Sequence, residues 1–426
     1  MIGEQMSTES VQVLIVGGGQ AGLAMSEHLG ARGIGHLILE RGRLAERWRT
    51  ERWDSLVANG PAWHDRFPGL EFSDLGADDF AGKDRIAEYF EQYAQMIGAP
   101  IRSGVEVTSV RRLERRAGFR AQTTDGTVEA RYVVAATGPF QVPSIPPIVP
   151  DQPEVLQLHS SRYRNPTELP DGAVLVVGAG SSGVQIADEL NRSGRRVYLS
   201  VGPHDRPPRR YRGRDFVWWL GVLGKWDAAA PPQGAEHVTI AVSGAYGGRT
   251  IDFRELAAGG VTLVGSTTTF ADGSVHFAGD LAANIAQGDA NYLSLLEEAD
   301  AYVEQTGIEL PPEPEAHQLG EMPLDGGALS ALRLDAADVS TIIWATGFTQ
   351  DYSWLQVEAF DADGRPRHHR GVSSEPGVYF LGLPWLANRG SSFIWGVWHD
   401  ARHLAEHIAI RDGYLAYERP SAPARV

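Results

Sequence analysis

One phosphate-binding signature occurs twice in this chain, as Gly17-Gly18-Gly19-Gln20-Ala21-Gly22 and as Gly178-Ala179-Gly180-Ser181-Ser182-Gly183. Each copy follows a short apolar run, Val11-Gln12-Val13-Leu14-Ile15-Val16 in the first and Ala173-Val174-Leu175-Val176-Val177 in the second. Each also opens an amphipathic segment, over 23–29 and 184–190. A strand, a glycine turn and a helix in that order give the context in which G-x-G-x-x-G binds a dinucleotide. The first glycine allows a tight turn, the second lets backbone approach a pyrophosphate, and the third packs helix on strand. The helix N-terminus then offers free N–H groups to the phosphates. Gly17, Gly19, Gln20, Ala21 and Gly22 are therefore expected to line one pyrophosphate, and Gly178, Gly180, Ser181, Ser182 and Gly183 a second. A single such motif also occurs in tight turns that hold no nucleotide. Two in full context point to two Rossmann-like α/β units, and two dinucleotides imply electrons passing between them.

The second apolar run of the first unit, Leu37-Ile38-Leu39, ends in Glu40. An acid about 20 residues beyond the glycines is the usual partner of a ribose diol; a capping or surface acid is the plainer alternative. At 426 residues the chain fits two or three domains, and 42% apolar residues suffice for large cores. The net charge of −16 argues against nucleic acid and anionic membranes as partners. There is no cysteine, hence no disulfide framework, thiolate metal site or redox-active thiol pair. Residues 1–10 are polar and do not resemble a signal peptide, and no apolar window is long enough to span a bilayer. A soluble cytoplasmic enzyme is expected.

Between the glycine motifs, 84–97 has helical periodicity, and 105–110, 119–123 and 128–135 alternate like strands, with a turn at Asp125-Gly126. The last of these strands ends in Ala136-Thr137-Gly138. A second apolar strand, Thr341-Ile342-Ile343-Trp344-Ala345, ends in Thr346-Gly347. The Pro-rich stretch 143–153 has the composition of a linker. The domain reading is a first unit over 1–167 and 336–426 with the second unit, 168–335, inserted in it. A strand near 378–381 and a helix over 400–410 complete the first unit.

The pattern resembles the class B flavin-dependent monooxygenases, in particular the compact bacterial branch often labelled with potassium transport or cation efflux. The resemblance spans nearly the whole chain. It rests on both glycine motifs, Glu40, Arg47-Trp48-Arg49, Trp53-Asp54-Ser55-Leu56, Ala136-Thr137-Gly138, the segment from His159 through Arg164-Asn165-Pro166, Arg209-Arg210-Tyr211-Arg212-Gly213-Arg214-Asp215, Ala345-Thr346-Gly347-Phe348, Asp351-Tyr352-Ser353-Trp354-Leu355 and Gly396-Val397-Trp398-His399-Asp400-Ala401. It implies FAD at the first glycine motif and NADPH at the second. It implies that Trp48 lies beside the isoalloxazine, with Arg41, Arg47, Val107, Ala136, Thr137, Gly138, Thr346 and Gly347 also among the cofactor-binding residues. Asn59 matches the family's asparagine near flavin N5 and C4a and is the expected catalytic residue. Asn59-Gly60-Pro61 is also a strong turn signal, and the two readings are compatible. The implied chemistry is reduction of FAD by NADPH, then oxygen transfer through a C4a-(hydro)peroxyflavin to a soft nucleophile, with N- or S-oxygenation favoured. Of the fingerprint F-x-G-x-x-x-H-x-x-x-W only His159 is kept; Pro153, Val155 and Tyr163 occupy the other positions, which weakens a Baeyer–Villiger reading.

In the second unit the run Val197-Tyr198-Leu199 ends in Ser200, where an NAD site would place an acid. Ser200, Arg206 and Arg209 are therefore expected to hold the 2′-phosphate, making NADPH the preferred coenzyme. His399, His403 and His407 share one helix face, but without a His-Glu-x-x-His pattern they are read as a solvated or partner-contacting face and no metal is expected. Trp218, Trp219, Trp395 and Trp398 fit either an apolar substrate pocket or ordinary core and interface packing. The expected partners are a small-molecule substrate and O₂, with a homodimer left open. Two alternatives stay open beside the monooxygenase: an NAD(P)H-dependent reductase of an electron carrier, and a nucleotide-binding flavoprotein sensor or regulator.

Overall fold

The computed structural model of the chain describes residues 8–231, 239–322 and 329–417. Two sheets organise it, each built around one glycine turn. In the first, strands follow the order His368–His369, Val372–Ser373, Val378–Phe380, Gly126–Ala135, Thr8–Val16, His36–Glu40, Ile101–Ser103. From Val378–Phe380 to Ile101–Ser103 the pairing is parallel. Val107–Arg112 and Phe119–Thr123 form an antiparallel arm on Gly126–Ala135, closed by the expected Asp125-Gly126 turn. The second sheet is wholly parallel, in the order Thr262–Val264, Val197–Ser200, Ala173–Val177, Val339–Trp344, Leu156–His159. Its strands fall in sequence between those of the first, so the architecture is two Rossmann-like α/β units with the second inserted in the first.

The unbroken apolar runs have a physical reason. Successive side chains on a strand point to opposite faces, so a strand covered on both sides must be apolar throughout. Val174, Val176 and Ile343 pack with Val184, Ile186 and Leu190 of the second glycine helix. Their neighbours Leu175, Val177, Ile342 and Trp344 pack on the other face against Val264, Val275, Phe277 and Leu332. In the first unit, helix Lys83–Met96 buries Ile86, Tyr89, Phe90 and Tyr93, the stripe that defined it in sequence.

The insertion is longer than the expected 168–335. Both Leu156–His159 and Val339–Trp344 belong to the second sheet. The misreading has a clear cause. The two Ala-Thr-Gly strands are alike in sequence, but one flanks Thr8–Val16 and the other flanks Ala173–Val177. The helix expected over 400–410 also starts earlier, as Ile394–Leu415. A one-turn helix, Arg389–Ser392, capped by Asn388, leads directly into it and brings Trp395 and Trp398 onto the helix. Among the described residues no helix is long and apolar enough to cross a membrane.

Asp400 lies on the buried side of this C-terminal helix, and its Oδ2 has no hydrogen-bond partner among the described residues. Burial raises its carboxyl to about 6, with Ser391 and the charge of Arg370 opposing only in part. A carboxyl whose folded pKa lies above its unfolded value contributes stability that is complete below the unfolded value, near 4, and is lost as pH rises through the folded one. Ionised Asp400 therefore destabilises the fold above about pH 6, by on the order of 2–3 kcal/mol. Asp400→Asn should raise the melting temperature at pH 7.5, and the gain should shrink toward zero by pH 5 in thermal melts of both proteins.

Candidate functional site

At the first glycine turn, Gly17 N–H donates to Leu39 O at 2.9 Å and Ala136 N–H to Val16 O at 2.9 Å. Gly17 has φ +111°, and a Cβ there would lie 2.6 Å from Ala136 O. A Cβ on Gly22 would lie 2.0 Å from Gly17 O, so helix Gln20–Gly30 could not approach the strand. Gly19 differs: among the described residues nothing lies within 4 Å of its Cβ position, and no side chain caps the helix. The second turn repeats these relations. Gly178 has φ +109° and faces Ala345 O at 2.5 Å, while a Cβ on Gly183 would lie 1.8 Å from Gly178 O. Gly180 meets only Thr239 Cγ2, at 3.1 Å, and helix Ser181–Arg192 is likewise uncapped by any side chain. In each unit two glycines are demanded by the protein's own backbone, and the third leaves a cradle open in front of a helix N-terminus. That geometry fits a pyrophosphate in both places.

Around the first cradle, Glu40 accepts from the Gly18 N–H at 2.7 Å through Oε2 and from the Gly42 N–H at 2.8 Å through Oε1. Those bonds fix the carboxylate and leave lone pairs for a diol. Arg41 is exposed, Val107 is buried, and Gln20 Nε2 donates to Ser392 O at 2.8 Å. Ala21 packs beneath the turn at Gly382. Gln141 Nε2 bridges Thr137 Oγ1 and Gly138 O at 2.9 and 2.8 Å. Arg47 donates to Glu51 and to Gln141 O, and half-buried Trp48 carries the Arg52 guanidinium 5.7 Å from its ring. At the second cradle, Ser181 Oγ donates to Ile240 O at 2.8 Å, and Ser182 is half-buried. Thr346 donates to Ser144 O, and Gly347 O meets His159 Nε2 at 2.8 Å. Burial lowers the pKa of His159, keeping a neutral ring between that carbonyl and Ser161.

Asn59 joins the two units. Its Oδ1 accepts from Gln185 Nε2 at 3.0 Å, and its carbonyl accepts from Arg209 at 2.6 Å. Gln185 is buried on the second glycine helix and also donates to Val242 O at 2.8 Å. A lone amide among Val184, Ile186 and Ala187 on a buried helix face was the sequence signal for its role.

The arginines expected at the 2′-phosphate are elsewhere. Arg209 is 1% exposed, paired with Asp215 at 2.5 Å, and lies between the rings of Phe80 and Phe216. Arg206 is 2% exposed, paired with Asp289 at 2.7 Å, and stacks on Tyr292. Ser200 is buried too, donating to Gly265 O at 2.9 Å and accepting from Thr267 N–H at 3.0 Å. All three are committed to internal partners, which corrects their assignment as phosphate ligands. The four tryptophans do not share a pocket either. Trp218 and Trp219 pack with Tyr302, Trp398 donates to Glu27, and Trp395 faces His64. Of the three helix histidines, His407 meets the Tyr379 hydroxyl at 3.1 Å and His399 lies against Trp395 and Trp398.

Comparison with known proteins gives a consistent picture. Residues 14–212 match the family model described as pyridine nucleotide-disulphide oxidoreductase. The chain is 35% identical over 402 residues to the oxidoreductase CzcO-like protein of Geobacillus kaustophilus (strain HTA426), covering 93% of this chain and 98% of that one. It is 32% identical over 205 residues to the indole-3-pyruvate monooxygenase YUCCA1 of Oryza sativa subsp. japonica, covering 46% and 49% of the two chains. Its fold is similar to that of a flavin-containing monooxygenase from Stenotrophomonas maltophilia, with a TM-score of 0.65 at 20% identity, covering 95% of this chain and 99% of that one.

Two outcomes follow for the purified protein. Gly19→Val has room for its side chain, so the FAD-free protein should melt as wild type does. Its FAD content, read from the flavin absorbance, should fall to near zero. Arg209→Ala leaves Asp215 buried and unpaired, which costs about 3–5 kcal/mol. It should lower thermal stability and reduce activity with NADPH and NADH in proportion. A selective loss of NADPH activity would restore Arg209 as a phosphate ligand.

Proposed function

The chain belongs to the CzcO-like branch of the class B flavin-dependent monooxygenases, and from that premise we propose that it inserts one oxygen atom of O₂ into a small organic substrate, at nitrogen or sulfur, with FAD in the first cradle and NADPH in the second. The observation that carries this reading is the pair of matched open cradles joined through Asn59. When bound, the cofactors supply hydride transfer and oxygen activation.

The chain's own residues do the positioning. Gly19 and Gly180 admit the two pyrophosphates to uncapped helix N-termini, where the backbone amides and the helix dipole favour anions. The Glu40 carboxylate, aimed by two backbone amides, is set to accept ribose hydroxyls. Because Asn59 Oδ1 is occupied by Gln185, its amide hydrogens are left to donate toward whatever lies beside them. Gln185 sits on the helix that would hold NADPH, so the orientation of Asn59 depends on the coenzyme unit. No acid–base dyad is required for attack by an amine or a sulfide. The chain has no cysteine, so the thiol chemistry in the family model's description has no carrier here. Loss of the F-x-G-x-x-x-H-x-x-x-W fingerprint around His159 favours heteroatom oxygenation over Baeyer–Villiger insertion.

The test is a screen of small amines and sulfides with the FAD-loaded protein, following NADPH, O₂ and product mass together. One NADPH and one O₂ consumed per product one oxygen heavier is the expected result. Asn59→Ala should shift turnover toward hydrogen peroxide on the order of tenfold, the worth of one positioned hydrogen bond. Turnover that needs no O₂, or that yields only peroxide with every substrate, would favour the reductase or sensor reading.

A further inference from the structure

The turn that carries Asn59 continues into a second polar group. Gly60 N–H donates to Asp65 Oδ2 at 2.9 Å, and Asp65 Oδ1 meets His64 Nδ1 at 2.9 Å. With the Nδ1 proton facing the carboxylate, the tautomer this contact selects carries its lone pair on Nε2. That nitrogen is shielded from solvent, and it has no hydrogen-bond partner among the described residues. The whole residue is only 6% exposed. Leaving such a group unsatisfied is unfavourable, because burial has removed the water that would otherwise bond it.

The surroundings are aromatic and come from three parts of the chain. Trp226 of the inserted unit stacks at 5.3 Å and 21° from the imidazole, and Trp395 of the C-terminal helix at 5.7 Å and 29°. Trp63 meets the ring edge-on at 5.3 Å. The Trp226 indole N–H already donates to Val217 O at 3.2 Å. Of the other buried histidines, His159 uses both nitrogens, on Ser161 and Gly347 O, and His28 Nε2 meets Trp398 O at 3.0 Å. His204 shares an orphaned Nε2, but it abuts the backbone of Gly288, where even a Cβ would lie 2.5 Å away. His64 therefore combines an unused acceptor, a fixed ring orientation and flat apolar neighbours, one short turn from Asn59.

We propose that His64 is the substrate-orienting residue, its Nε2 accepting a hydrogen bond from an N–H or O–H group on a planar aromatic substrate packed among Trp63, Trp226 and Trp395. This rests on the oxygenation reading above and names the substrate class: a flat aromatic body bearing a hydrogen-bond donor. Asp65 acts through His64 as a positioning residue, holding the tautomer that accepts. A donor group on the substrate would satisfy the buried nitrogen, whereas a shape-matched analogue without one would leave it unpaired.

The experiment uses the oxidised, FAD-loaded protein without NADPH, so that no turnover occurs. Binding of indole against benzofuran, and of aniline against toluene, is measured by calorimetry and tryptophan fluorescence. Wild type should bind at least one donor about tenfold or more tightly than its donor-free twin. His64→Phe keeps the ring and removes the acceptor, so it should bring the twins to equal affinity with FAD content and circular dichroism unchanged. His64→Gln, which restores an acceptor oxygen, should recover part of the difference. Equal wild-type affinities, binding of neither pair, or a preference that survives in His64→Phe would overturn the proposal. The oxygenation reading fails separately. Discrimination by His64 beside peroxide-only turnover would refute oxygenation and spare the subsite, and coupled product formation without discrimination would do the reverse.

Discussion

A helix can begin where each of these central strands ends only because side chains are missing at the crossing. The carbonyl of Gly17 occupies the position that a Cβ on Gly22 would need, and the carbonyl of Gly178 does the same to Gly183. Backbone meets backbone, and a single methyl group would push the helix away from the strand. The Ala-Thr-Gly strands close the other side, with Ala136 O and Ala345 O against Gly17 and Gly178. Once these contacts are satisfied, the middle glycine of the first turn has none of the described residues in front of it, and that of the second has only the Thr239 methyl. The cradle is what remains when close packing of three segments is complete.

Much of what makes one site out of two cradles passes through residues 53–65. By sequence order they belong to the first unit, yet Trp53 packs in the core of the second. Ser55 donates to Glu189 at 2.7 Å, a Cβ on Gly244 would lie 2.2 Å from Ala58 O, and Asn59 is held by Gln185 and Arg209. The Arg209–Asp215 pair beneath this segment is a buried structural bridge. Both charges are desolvated, and several neutral hydrogen bonds and two aromatic faces compensate them. The segment closest to the expected chemistry is therefore held from both sides, by backbone hydrogen bonds to residues 77–83 of the first unit and by Glu189, Gln185 and Arg209 of the inserted one, so the position of the inserted unit bears directly on Asn59.

Some of this was legible in the chain and some was not. The strand–turn–helix units were, because each depends on contacts within about 30 residues, and the two-face burial of the second sheet shows directly as apolar runs. The assignment of the second Ala-Thr-Gly strand was not legible. Its local sequence suits either sheet, and only the pairing of Trp344 with Val177 decides which. The arginine cluster misled for a related reason. Charge near the end of a strand resembles a phosphate site, but Asp215 and Asp289 arrive from other elements and take the guanidiniums inside. The four tryptophans likewise shared a composition and went to separate places.

By itself, then, the sequence determined what short-range sterics and side-chain periodicity dictate: two glycine cradles, two Rossmann-like units, Glu40 at the end of its strand, and the absence of thiol chemistry. Tertiary structure alone decided which charges are used up internally and which polar atoms are left over. Gln185 and Arg209 reaching Asn59, and His64 left among the described residues with one unpartnered nitrogen beside three indoles, depend on residues far apart in the chain meeting at one junction. The physical reason is that a polar group's role is set by the partners that satisfy it. In a two-unit fold those partners come from wherever the packing brings them.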